Sequence, residues 1–91
     1  MSRFKKGFGM VSNSVMRNPD ISLRAKALYS YMASYADADT GELTVSINRI
    51  ASECGIAHST VKRILKELVN KDVIERKARG RHDSYITVLR Q

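Results

Sequence analysis

The eight residues from Ser59 to Lys66, STVKRILK, carry Lys62, Arg63 and Lys66 and no acid. Ammonium and guanidinium groups at that spacing donate hydrogen bonds to anionic oxygens, and His58, Ser59 and Thr60 beside them add short polar groups. A second basic cluster follows at 77–82, where Lys77, Arg79, Arg81 and His82 surround Gly80 with no acid before Asp83. A flexible glycine among bases suits a tip that projects positive charge toward phosphate. The chain of 91 residues holds 16 Lys and Arg against 9 Asp and Glu, a net charge of +7, and residues 46–91 carry 10 of those bases and 5 of the acids. Such an excess favours a polyanionic partner, for which nucleic acid and an anionic membrane surface both qualify.

Other chemistry finds little to build on. Cys54 is the single cysteine, so it forms no intramolecular disulfide, and without Cys or His at ligand spacing it nucleates no structural zinc site. A buried structural thiol is expected. His58 and His82 both sit in basic surroundings and no glycine-rich phosphate loop occurs, so neither an enzyme nor a bound cofactor or metal is expected. The stretch DADTGE at 37–42 imitates part of a calcium loop but lacks the distant closing glutamate and reads as an acidic turn. Tyr29, Tyr31, Tyr35 and Tyr85 invite base stacking, yet tyrosines at helical spacing beside Leu28 and Met32 are expected to pack a core with the hydroxyl at its rim.

These groups need a scaffold, and the length allows one domain. Apolar residues make up 43% and charged residues 27%, ordinary values for a folded soluble chain. No apolar run approaches the roughly 20 residues needed to span a bilayer, so a soluble cytoplasmic protein without a membrane partner is expected. Asn18–Pro19–Asp20 reads as a turn separating a basic lead, residues 1–20, from a domain at 21–91. Residues 12–17 admit either a short helix or an extended strip, and Arg3, Lys5 and Lys6 either a DNA-tracking arm or an unstructured end.

Ser22 is a plausible N-cap, and Leu23, Ala27, Leu28, Tyr31, Met32 and Tyr35 follow at the spacing of one helix face, predicting a first helix over 23–35. A short strand is expected at 43–45. Ser46 caps a second helix over 47–54, with Ile47, Ile50, Ala51 and Cys54 inward and Gly55 as its stop. A third helix over 58–70 places Val61, Ile64, Leu65 and Leu68 inward and Ser59, Lys62, Arg63 and Lys66 outward. Residues 73–78 and 84–89 read as a hairpin around the basic tip. The predicted class is mainly α with a small β-sheet.

Ala51, Gly55, Ile56, Val61 and Ile64 occupy the positions a helix-turn-helix needs: a small residue for close approach, a glycine for the tight turn, and apolar anchors for the following helix. The words GIAHSTVKRILKEL and KDVIERKARGRHDSYITV resemble the turn, recognition helix and wing of the winged helix-turn-helix family, as in GntR- and MarR-type repressors and DnaD-like replication domains. Ala57 departs from the Ser or Thr that family members often place at that N-cap. The resemblance implies three helices plus a C-terminal β-hairpin wing that binds double-stranded DNA. In it the third helix enters the major groove, with Arg63 reading a base and His58, Ser59, Thr60, Lys62 and Lys66 sharing base-edge and phosphate contacts. Arg49 positions the backbone, while Lys77, Arg79, Arg81 and His82 of the wing meet phosphate or the minor groove. The implied function is a small transcription regulator of bacterial, phage or plasmid type, possible as a homodimer. A replication-origin or relaxosome accessory module, and a winged-helix protein-interaction module, stand as alternatives.

Overall fold

Serine starts three of the four helices found among the described residues. The structure, a computed structural model, describes residues 12–37, 39–78 and 85–90. Its helices are α1 (Asn13–Met16), α2 (Leu23–Ala33), α3 (Ile47–Cys54) and α4 (His58–Asn70); its strands are β1 (Glu42–Leu43), β2 (Ile74–Ala78) and β3 (Tyr85–Leu89). In chain order they run α1, α2, β1, α3, α4, β2, β3. Ser12, Ser22 and Ser46 precede α1, α2 and α3 in extended backbone conformation, and each hydroxyl accepts from the N–H three residues on, at 3.4, 3.2 and 3.1 Å. Each bond satisfies a donor that a helix start leaves unpaired.

Helix α4 begins on Ala57, which offers no side-chain cap. Ala57→Ser is therefore expected to stabilise the fold by about 1 kcal/mol, read as a raised urea midpoint at unchanged slope. An unmoved midpoint would show that the α4 start does not limit stability.

Two glycines hold left-handed backbone where a side chain would be strained. Gly55 (φ 69°) ends α3, and the Ile56 N–H turns back to Ala51 O at 3.1 Å. Gly41 (φ 73°) precedes β1, and a Cβ there would lie 2.9 Å from Leu89 O. The acidic turn before it is held by Asp37, whose Oδ1 accepts from the Asp39 and Thr40 N–H groups at 2.8 and 3.1 Å.

The sheet is antiparallel in the order β1–β3–β2. Its last strand lies in the middle, with Thr87 opposite Leu43 on one side and Arg76 on the other. The core gathers Val61, Ile64, Leu65 and Leu68 of α4 with Ala25, Leu28, Tyr29 and Met32 of α2, Ile50 of α3, Leu43 of β1 and Ile74 of β2; Val15 and Ile21 complete it. Tyr29 is buried, and its hydroxyl donates to Arg90 O at 2.6 Å, which ties α2 to the residue after β3. The Arg90 guanidinium pairs with Asp72 and Glu75 at 3.0 and 2.9 Å, exposed contacts of small individual worth.

Several expectations are corrected. Of the two readings left open for residues 12–17, the short helix is found: Asn13–Met16 form α1, and its Val15 is buried. Helix α2 ends at Ala33, and its inward face is Ala25, Leu28, Tyr29, Met32 and Ala33, whereas Leu23 is 83% exposed and Ala27 and Tyr35 are exposed. Apolar residues occur on most sides of this helix, so spacing alone admits more than one face. Packing into the shared core decides it, burying Ala25 fully together with Leu28, Tyr29 and Met32. Strand β1 covers 42–43 rather than 43–45, because the chain leaves β3 to cap α3 through Ser46. Strand β2 starts one residue later than expected, at Ile74, and Ser84, the expected start of the second hairpin strand, lies outside the described residues. Cys54, expected buried, is half-buried, because it lines an open groove of about 430 Å³ between α2, the end of α3 and the start of α4.

Candidate nucleic-acid interface

Four apolar anchors fix which side of α4 faces out. Val61, Ile64, Leu65 and Leu68 are buried, so the helical period turns His58, Ser59, Lys62, Arg63 and Lys66 to solvent, where all five are exposed. Among the described residues, no carboxylate lies within ion-pair distance of Lys62, Arg63 or Lys66. Thr60 is half-buried, and its Oγ1 accepts from the Arg63 guanidinium at 3.3 Å, which steadies that side chain against its own helix. Lys77 is exposed on β2. Arg79, Arg81 and His82 of the wing tip lie outside the described residues, as do Arg3, Lys5 and Lys6 of the lead.

The orientation of α4 also depends on an acid on its own flank. Glu67 accepts from the Ser22 backbone N–H and hydroxyl, both at 2.9 Å, so α4 holds the residue that caps α2. The two Ser22 donors keep the Glu67 carboxyl below its ordinary range.

Arg49 is not a lone cation. It lies in the first turn of α3, its Nε donates to Glu53 Oε2 at 3.1 Å, and its guanidinium lies 5.6 Å from the Tyr35 ring centre. Glu53 also accepts from the Tyr31 and Tyr35 hydroxyls at 2.6 and 2.5 Å. These donors, Tyr31 first, hold the Glu53 carboxyl down to about 2, while burial and then Glu53 push the Tyr31 phenol up. The Cys54 thiol is raised by burial and by neighbouring Glu53, which disfavours the reactive thiolate.

A carboxylate held below its ordinary value near 4.5 binds protons less well in the folded chain than in the unfolded one. Its stabilising contribution is complete above that ordinary value and is lost as pH falls toward about 2. The thermal midpoint is therefore expected to drop through this window, and Glu53→Gln to drop less. Equal acid sensitivity in the two proteins, followed by circular dichroism, would count against the Glu53 hub.

The arrangement is two helices, α3 and α4, joined through the Gly55 turn, with an apolar inner side and a basic outer side. Residues 20–74, more than half of the chain, match the family described as "Helix-turn-helix domain". The chain belongs to that family. No curated protein and no solved structure is significantly similar to it. The helix-turn-helix itself is α3, the turn at Gly55 and Ile56, and α4, and the antiparallel sheet beside it supplies the wing strands β2 and β3. Among the described residues, no helix is long and apolar enough to cross a membrane.

Sequence reasoning placed the outward residues of α4 in this helix-turn-helix domain but missed Glu53 and Glu67, and it did not foresee Tyr31 and Tyr35 as donors to Glu53. Arg49 and Glu53 are spaced i,i+4, as are Tyr31 and Tyr35, a spacing that predicts neighbours on a helix. Ser22 and Glu67, 45 residues apart, left no local signal.

Proposed function

We propose that this helix-turn-helix domain binds double-stranded DNA sequence-selectively and without catalysis, as a small transcription regulator of bacterial, phage or plasmid type. The observation that carries the reading is the outward face of α4, where Lys62, Arg63 and Lys66 are exposed with no acidic partner among the described residues. A helix of this width enters the major groove, where Arg63 reaches guanine O6 and N7 and the lysines, with His58 and Ser59, reach phosphate or base edges. One short helix reads few base pairs, so a homodimer on a two-fold site supplies the remaining specificity.

The test is selection from random duplex DNA at fixed salt, with sedimentation to count protomers per site. Recovery of a palindromic site bound by two protomers supports the regulator. Recurrence of a short directly repeated site, of the sort that marks a replication origin, shifts the reading to replication or mobile-element maintenance. Failure to enrich any sequence, with no salt-dependent binding, makes the same surface a site for protein partners.

A further inference from the structure

Glu53 uses its two oxygens for different purposes. Oε1 accepts from both tyrosine hydroxyls at the end of α2, and Oε2 accepts from Arg49 Nε on α3. The two rings meet edge to face at 5.3 Å, so Oε1 is held by a pair of donors that brace each other. The Arg49 guanidinium is thus restrained at Nε and over the Tyr35 ring, while its two terminal nitrogens make no hydrogen bond among the described residues and the side chain is 60% exposed.

We propose that Glu53 is a positioning residue for nucleic-acid binding, holding Arg49 as a fixed fork for a backbone phosphate. This rests on the DNA-binding reading above. The first helix of a helix-turn-helix crosses the DNA backbone, and Arg49 stands in the first turn of that helix. A free arginine gives up much rotamer freedom when it grips a phosphate, whereas one already tethered gives up less. An acid therefore strengthens the hold on a polyanion, the reverse of its through-space repulsion of phosphate.

The sign makes the idea testable with Glu53→Gln. Glutamine keeps an oxygen for the tyrosine hydroxyls but sets an NH2 group, which cannot accept, against Arg49 Nε. Binding to a short mixed-sequence duplex is measured across salt concentration for the wild-type chain, Glu53→Gln, Arg49→Ala and the double variant, with thermal unfolding of each. Glu53→Gln is expected to weaken binding and to flatten the log–log salt slope by about 0.9, as Arg49→Ala does, with no further flattening in the double variant. Should Glu53→Gln unfold, Tyr35→Phe, which removes one brace, is expected to shift the slope in the same direction. Tighter binding by Glu53→Gln at full slope, or slope losses that add in the double variant, overturns the proposal alone. A wild-type chain without salt-dependent duplex binding overturns it together with the DNA-binding reading.

Discussion

Replacing Lys62, Arg63 and Lys66 together with alanine is expected to abolish tight duplex binding while leaving the fold intact. All three side chains are exposed on α4 and have no acidic partner among the described residues, and alanine is a strong helix former. Each phosphate contact removed retains its condensed counterions, so the log–log salt slope is expected to flatten by about 0.9 per lysine that had touched phosphate. Arg63 is expected to behave differently. Its loss alone costs about 1–3 kcal/mol on the selected site and relaxes one base position, with a smaller loss on random duplex. Titration at several salt concentrations separates the two roles. If Arg63→Ala weakens selected and random duplexes equally, Arg63 is a phosphate contact, and if the triple variant binds as the wild type does, α4 is not the interface.

Leu68→Ala is the second large effect, acting on the fold that presents this face. Leu68 is fully buried in the core shared with α2, and removing a buried leucine side chain loses its transfer free energy and leaves a cavity, about 2–5 kcal/mol in all. Domains of this size hold roughly 0.05–0.15 kcal/mol per residue, so the variant forfeits a large share of total stability. Val69, the next residue, is 41% exposed, and Val69→Ala is expected to stay within about 0.5 kcal/mol. Urea unfolding of both checks the burial pattern of α4. A cost for Leu68→Ala no larger than that for Val69→Ala would mean that α4 is not anchored as described.

The contrast between neighbours 68 and 69 is legible in the sequence. Val61, Ile64, Leu65 and Leu68 repeat at the helical period on a helix bounded by Ala57 and Asn70, and Ser46 with Gly55 marked both ends of α3, which runs over the residues expected. Caps and periodicity are interactions within a few residues, so residue order alone determines them. The same order determined that the outer side of α4 is basic, since an inward set of apolar residues leaves the others only one direction to point.

Tertiary structure decided the rest. Which side of α2 turned inward was decided by its packing into the shared core, because apolar residues around much of that helix left its own pattern undecided. Tyr31 packs against the core as expected while Tyr35 is exposed, and the hydroxyls of both donate to Glu53 on another helix, which their spacing did not show. Arg49 was readable as an exposed cation, but its tether was not. Ser22 was readable as a cap, but not the Glu67 carboxylate that binds it from 45 residues away. Hydrogen bonds of this kind depend on distances between elements brought together by packing, and sequence separation carries no record of those distances. The residues able to touch a polyanion were set by the sequence, and how firmly each is held was set by the packing of α2, α3 and α4.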